Sequence, residues 1–361
     1  MKIALVGLPG SGKTSLFNSL THKPVDLLPG VPGAAPHVSV NPVRDERLEW
    51  LRDFYSPEKY TPATITIEDH AGIPPGSAKS DRRGEHFAGM RNANGLVVVL
   101  RAFTTDRYAY DDAEADAGRD LELVGLEFLS SDMEICERRL ERLAAEWKKP
   151  KERDRVERER AVVKRLADAL NDGKGAHTVE VRSDEEFFVK GFQLLTRKPV
   201  VLVNNMPEEG GPSVAPVASD GQADVLRVEH SFDVCAAIES ELSQMEGEDR
   251  EMFAEEYGVT EPLADRFNLA CYRGLGLRSF FTVGEDEVRA WTIHEGDNAV
   301  TAAGEIHSDL ARGFIRAEVT PYQELRDGGS MKEVKARGKQ RLEGKEYAVA
   351  DGDILNIRFS V

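Results

Sequence analysis

Residues 7–14 read Gly7-Leu8-Pro9-Gly10-Ser11-Gly12-Lys13-Thr14, directly after the apolar run Ile3-Ala4-Leu5-Val6 and before Leu16, Phe17 and Leu20 at helical spacing. The stretch matches GxxxxGK[ST] in the strand-before, helix-after context that this motif requires. Glycines let the backbone approach an anion closely, and the free N–H groups at a helix start, aided by the helix dipole, bind phosphate. Lys13 is then placed to reach β- and γ-phosphates, and the Thr14 hydroxyl to ligate Mg²⁺. The chain thus opens as an α/β unit shaped for a phosphorylated ligand.

Working outward, Thr64–Glu68 reads as a second strand that ends at Asp69, where a carboxylate can help hold Mg²⁺. Asp69-His70-Ala71-Gly72 is a DxxG pattern, whose glycine N–H can sense a γ-phosphate so that the loop acts as a switch. Leu96–Leu100 and Pro199–Val203 are continuous apolar runs, as in parallel strands buried on both faces. Together they predict a doubly wound parallel sheet. After the last run comes Asn204-Asn205-Met206-Pro207-Glu208, the place for base recognition. The pattern is Asn205-x-x-Glu208, without the Lys and Asp of the guanine-reading NKxD. Adenine lacks the N1–H and N2–H donors of guanine, whereas an Asn side chain pairs with adenine N6 and N7. The motif therefore leans towards ATP over GTP.

Between the third and fourth strands lies a charged block in which Leu121, Val124, Phe128 and Ile135 share one helical spacing and Leu129, Met133, Cys136, Leu140 and Leu143 another. Pro150 interrupts the pattern, which resumes with Val156, Val163, Leu166 and Leu170 and stops at Asn171-Asp172-Gly173. Two helices broken at a proline predict an antiparallel α-hairpin, a solvated arm or a docking arm for a partner. From residue 278 the character changes again. Strands are expected at 288–293, 314–319, 347–349 and 354–359, with one helix over Ala302–Leu310.

The 361 residues carry 47 Lys and Arg against 64 Asp and Glu, a formal net charge of −17, which argues against a general nucleic-acid coat, DNA binding or an anionic-membrane binder. The one basic cluster, Lys332, Lys335, Arg337, Lys339 and Arg341, is a solvated face or a contact for rRNA phosphates. Cys136, Cys235 and Cys271 lie far apart without a CxxC pair, which fits a reducing cytosol. No apolar run is long enough to span a membrane, and the N-terminus reads as a strand and not as a signal peptide.

At this point the residues resemble the YchF/Obg-like ATPases, in the translation-factor class of P-loop proteins. GLPGSGKT, DHAG, NMPE and Val234-Cys-Ala-Ala-Ile-Glu239 stand in that family's order. VRAWTI at 288–293, GEIHSDLARGFIRAE at 304–318 and the ending DGDILNIRFSV resemble its TGS domain, a ubiquitin-like β-grasp unit. The resemblance covers essentially the whole chain. It implies a P-loop NTPase domain over 1–118 and 195–277, an inserted coiled-coil arm over 119–194, and a TGS-like domain over 278–361. It implies a cytoplasmic, Mg²⁺-dependent, slow ATPase that associates with the ribosome. Residue by residue, Gly10, Ser11, Gly12, Lys13, Thr14 and Ser15 would cradle phosphates, and Asp69 would hold Mg²⁺ through water. Gly72 would face the γ-phosphate and act with Lys13 in catalysis. Asn205, with Met206 and Glu208, would read adenine, and Cys235 and Ala236 would line the base pocket with backbone N–H groups. Ile73 matches the hydrophobic residue that this family carries where Ras-like proteins have a water-orienting Gln.

The chain also departs from the family pattern. Gly10-Ser11 replace the usual Asn-Val, a form that also resembles nucleotide kinases. The first switch normally supplies a Thr, yet none lies between Thr21 and Thr61, and Ser39 is the nearest hydroxyl to the aligned Val31–Pro36. Lys79-Ser-Asp-Arg-Arg83 replaces part of a Gly-rich segment, Tyr110 stands where the family has His, and Pro207 removes an N–H from the base motif. Binding groups survive better than γ-phosphate-sensing ones. The rival expectation is therefore a nucleotide-gated or hydrolysis-deficient ribosome-binding module.

Overall fold

The computed structural model describes residues 1–21, 35–77, 83–104, 115–147, 153–208, 217 and 224–360, the side chains of 83–86 excepted. Val31–Ala34, Lys79–Asp81, Arg82, Tyr110 and Pro150, on which expectations above rest, lie outside the described residues. In chain order the strands are β1 (Lys2–Val6), β2 (His37–Pro42), β3 (Lys59–Thr61), β4 (Thr64–Asp69), β5 (Gly95–Arg101), β6 (Pro199–Asn205), β7 (Arg227–Val234), β8 (Leu277–Thr282), β9 (Glu287–His294), β10 (Phe314–Pro321), β11 (Arg341–Glu343) and β12 (Asp353–Phe359). The helices used below are α1 (Lys13–Ser19), α2 (Glu46–Tyr55), α3 (Arg83–Arg91), α4 (Ala117–Glu146), α5 (Arg153–Asn171), α6 (Glu186–Val189), α7 (Ala236–Leu242), α8 (Gly247–Glu256), α9 (Leu263–Gly274), α10 (Ala299–Ile306) and α11 (Ser308–Arg312).

The chain divides into two compact units, one of residues 2–39 and 66–264, the other of residue 1, 40–65 and 265–361. In the first sheet the strands follow the order β2-β4-β1-β5-β6-β7. The pairs β1/β4, β1/β5, β5/β6 and β6/β7 are parallel, the doubly wound arrangement that the apolar runs predict. Every residue of β5 is buried. One apolar cluster covers Ala4, Val6, Leu96, Val98, Leu121, Val124, Phe128 and Leu202. Register decides where chemistry collects. Leu5 pairs with Asp69, and Arg101 pairs with Asn205. Both acidic and amide candidates thus reach the carboxyl ends of the strands, where α/β sheets bind ligands.

Helices α4 and α5 form the expected hairpin. Arg139 meets Glu146 at 2.9 Å and Glu159 at 2.6 Å, while Arg155 meets Glu146 at 3.1 Å and Glu159 at 2.8 Å. Residues 139 with 159 and 146 with 155 place the helices antiparallel. Cys136, Leu143, Val156, Val163 and Leu166 fill the seam. The middle of α4 is fixed by the fully buried Asp132, which accepts from Arg91 at 2.7 Å, from the Leu195 N–H at 3.0 Å and from the Thr196 N–H at 2.8 Å. A buried carboxylate this well supplied with donors holds its geometry, because breaking one partner would leave an uncompensated charge.

The second unit is a β-rich sheet in the order β11-β10-β12-β8-β9-β3. Ala299, Ala302 and Ala303 of α10 pack on Phe280, Ile293, Phe314, Val319 and Leu355. Small residues on that helix face let it lie close to the sheet. Two local expectations fail. The single helix over Ala302–Leu310 is two, because His307 is extended at φ −166° and its Nδ1 accepts from the Asp309 N–H at 3.2 Å, capping α11. The strand expected at 347–349 reduces to one bridge between Ala348 and Asn298. There Asp353 accepts from the Tyr347 hydroxyl at 2.8 Å and from the Ala350 N–H at 2.9 Å, which folds the segment into a turn.

Segment 40–65, inside the boundary 1–118 drawn from the sequence, packs within this β-rich unit. β3 pairs with β9 in parallel. Arg47 of α2 reaches Asp351 at 2.9 and 3.2 Å, and Trp50 meets Tyr322 edge-on with ring centroids 5.5 Å apart. In the basic cluster, Arg337 pairs with Glu333, Lys339 with Glu324 and Arg341 with Glu343. Much of that charge is thereby answered locally.

Candidate functional site

The loop after β1 turns at Pro9 and Gly10 and enters α1 through Gly12, whose φ is 87°. A Cβ at Gly12 would stand 2.1 Å from Asn205 Nδ2, so both the left-handed backbone and the close approach demand glycine. The turn closes with Ser11 N–H on the Leu8 carbonyl at 3.3 Å, and α1 starts with Leu16 N–H on the Gly12 carbonyl at 2.9 Å. Gly10 is half-buried in this loop, Ser11 is buried, and Ser15 is half-buried with its carbonyl accepting from Ser19 Oγ at 2.9 Å.

Thr14 Oγ1 donates to Asp69 Oδ2 at 2.9 Å. Lys13 Nζ stands 3.9 Å from Asp69 Oδ1, an oxygen buried without a hydrogen-bond partner. Burial pushes the Lys13 ammonium below its ordinary pKa, and the charge of Asp69 opposes that shift. Ser11 Oγ is likewise buried without a partner. A hydroxyl beside a carboxylate, with an orphaned carboxylate oxygen and a lysine in a glycine loop, is the donor set that Mg²⁺ and phosphate require. The residues present therefore fit a Mg²⁺-bound nucleotide.

Gly72 sits against the loop: a Cβ there would lie 2.9 Å from Pro9 Cα, and the Ile73 N–H donates to the Gly7 carbonyl at 2.9 Å. The Ile73 side chain is fully buried in the apolar cluster of the sheet. His70 is also turned inward. Its Nε2 lies 3.2 Å from Glu68 Oε2, and a Cβ at Gly89 would stand 2.4 Å from its ring. Burial lowers its pKa against the pull of Glu68. It follows β4 and packs against Gly89 of α3, where its ring is held inward beside Glu68.

Asn205 is held between two backbones. Its Nδ2 donates to the Ser11 carbonyl at 3.1 Å, and its Oδ1 accepts from the Ala236 N–H at 3.0 Å. It thus ties the phosphate loop to the start of α7, a bracing role absent from the sequence reading. Next to it, Met206 is half-buried and its N–H donates to the Val234 carbonyl at 2.7 Å, while Glu208 is exposed. Cys235 precedes α7, and burial raises its thiol pKa, the Ala237 and Ile238 amides oppose, and the nearby Glu208 charge adds to the rise. The two segments of the base motif are therefore neighbours.

One group at this site escaped the sequence reading. His37, the first residue of β2, brings Nδ1 to 3.7 Å from Asp69 Oδ2. It directly follows the stretch searched for a switch threonine, but that search was for hydroxyls and settled on Ser39.

Comparison with known proteins comes after this geometry. A family model described as "50S ribosome-binding GTPase" matches residues 2–125. The YchF-GTPase_C model, described as a protein of unknown function (DUF933), matches residues 277–360. A "Ribosome-binding ATPase YchF" of Bacillus subtilis (strain 168) is 38% identical, with 99% of this chain and 98% of that protein covered. The protein of the same name in Escherichia coli O157:H7 is 32% identical, with 100% and 99% covered. The solved structure of the Schizosaccharomyces pombe YchF GTPase superposes with a TM-score of 0.76 at 26% identity, covering 99% of this chain and 97% of that one. Identity above 30% along the full length, with the two sheets and the phosphate loop in place, shows that this chain belongs to the YchF family.

Proposed function

We propose that this chain is a cytoplasmic nucleoside triphosphatase that binds ATP in preference to GTP with Mg²⁺, hydrolyses it slowly, and couples the nucleotide state to association with the ribosome. The observation that carries the reading is the cluster of Thr14, Asp69 and Lys13, with Thr14 Oγ1 at 2.9 Å and Lys13 Nζ at 3.9 Å from the Asp69 carboxylate. Ribosome association rests on the names of the relatives, both ribosome-binding ATPases.

Thr14 and Asp69 would hold Mg²⁺, which supplies charge neutralisation at the β- and γ-phosphates when bound. The loop amides of Gly10–Ser15 orient the phosphates, and Lys13 stabilises the charge that develops on the transferred phosphoryl group. Gly72, pressed on Pro9, offers its N–H to the γ-phosphate. Asn205 keeps one N–H and one lone pair beyond its two protein contacts, which suffice for one adenine N6 and N7 pair. Cys235 and Ala236 bound the same base pocket with Met206 and Glu208. Replacement of Lys13 by Ala is expected to abolish Mg²⁺-dependent ATP hydrolysis; undiminished turnover in that variant would overturn the assignment.

A second reading is favoured by two departures in the sequence. The chain has no threonine between Thr21 and Thr61, and Pro207 removes an N–H from the base motif, so a group that senses the γ-phosphate and a contact in the base motif are both replaced. In that reading the protein is a nucleotide-gated ribosome-binding module without turnover. Product accumulating beyond one equivalent of enzyme excludes it.

A further inference from the structure

The stretch that leaves the DxxG pattern forms a stiff bridge between the phosphate loop and α4. Ile73 is fully buried and its N–H donates to the Gly7 carbonyl at 2.9 Å, so the near end is fixed to the phosphate loop. Pro74 and Pro75 follow and lock two φ angles in succession. Ser77 folds back on the Pro74 carbonyl, with its N–H at 3.1 Å and its Oγ at 2.5 Å. Gly76 turns the backbone at φ 86°, and its N–H donates to the carboxylate of Glu127 on α4. Glu127 is 8% exposed. An N–H on an ionised carboxylate is one of the stronger hydrogen bonds, and here water has little access to compete for it.

Helix α3 grips α4 at the same level. Phe87 meets Phe128 edge-on with ring centroids 6.1 Å apart, and Arg91 donates to Ser131 Oγ at 2.8 Å and to Asp132 at 2.7 Å. Residues 127, 128, 131 and 132 lie on one side of the helix. Asp132 in turn accepts from the N–H groups of Leu195 and Thr196, which lead into β6 and Asn205. Beyond this level the 30-residue α4 continues as one helix into the hairpin with α5.

We propose that Glu127 is a positioning residue: it latches the loop after Gly72 in the conformation that meets a γ-phosphate, and so couples that phosphate to the α4/α5 arm. The proposal rests on the nucleotide reading of the phosphate loop and deepens it. Gly72 is four residues from the latch at Gly76, with Pro74 and Pro75 between, and a stretch so short and stiff passes on a displacement instead of absorbing it. ADP has no γ-phosphate for Gly72 to meet, so the latch bears on the triphosphate alone. By linkage, the order that the latched loop gives to the γ-phosphate site is returned by the bound γ-phosphate to the arm.

The test uses the full chain with Mg²⁺, titrated calorimetrically with ADP and with a non-hydrolysable ATP analogue, and followed by amide hydrogen exchange in each complex. Glu127→Ala is expected to weaken binding of the analogue about tenfold, the loss of a hydrogen bond to a charged group, and to leave ADP affinity unchanged. Glu127→Gln keeps the shape and a neutral acceptor and should lose less, about threefold. In the wild type the analogue should slow exchange over 127–146 and 153–171 relative to ADP, and Glu127→Ala should erase that difference with its circular dichroism unchanged. Equal losses for both nucleotides, no loss for either, or an arm whose exchange ignores the nucleotide in the wild type would overturn the latch and leave the phosphate site standing. A wild type that binds neither nucleotide would overturn both.

Discussion

Thr14 Oγ1 lies 2.9 Å from Asp69 Oδ2 and thereby joins the first turn of α1 to the end of β4. The two residues are 55 positions apart, and the parallel register of Leu5 with Asp69 brings them together. Thr14→Val keeps the shape of the side chain and removes the hydroxyl. It is expected to erase the difference in ATP affinity between Mg²⁺ and chelator, measured by calorimetry, while leaving the fold intact by circular dichroism.

Gly12 carries φ 87° and faces Asn205 Nδ2. Gly12→Ala is expected to cost at least about 2 kcal/mol, from the left-handed backbone and the clash together. Denaturant unfolding measures it. Adding Asn205→Ala removes the clash but not the backbone strain, so the double variant should be more stable than the sum of the two single losses.

Ile73 occupies the position of a water-orienting Gln in Ras-like proteins, but it is fully buried. Ile73→Gln therefore places an amide in the apolar cluster and should cost about 2–4 kcal/mol in stability. It should not raise the rate of ATP hydrolysis, as steady-state assays will show.

Glu185 accepts from Arg165 at 2.7 and 3.2 Å and from the Arg182 N–H at 3.0 Å. These partners hold its carboxyl at about 2, against an ordinary 4.5. A depressed carboxylate stabilises the fold above its unfolded value, and the contribution is lost as pH falls from 4.5 towards 2. Wild-type stability should consequently drop more between pH 5 and pH 3 than that of Glu185→Gln, by denaturant unfolding at both pH values.

The central strands and the phosphate loop were legible because their signals are local. Leu96–Leu100 and Pro199–Val203 are apolar throughout, and glycines with Lys13 and Thr14 fall within eight residues. The α4/α5 hairpin was legible from period and from a proline. What the sequence hid depends on long-range partners. β3 is three residues long and is defined by pairing with β9, 228 positions on from Lys59 to Glu287. Segment 40–65 joins the β-rich unit through Arg47 with Asp351 and Trp50 with Tyr322, none of which shows a motif. The bracing by Asn205 and the approach of His37 to Asp69 were hidden for the same reason, since each needs the sheet register before the two groups can meet.

The account turns on a phosphate loop that binds ATP with Mg²⁺. The most direct measurement is calorimetric titration of the full chain with ATP and Mg²⁺, repeated with GTP as competitor and with Lys13→Ala. Mg²⁺-dependent ATP binding that GTP displaces only weakly, and that Lys13→Ala loses, is the predicted result. Stronger binding of GTP would contradict the adenine reading of Asn205, and binding of neither nucleotide would contradict the phosphate site itself.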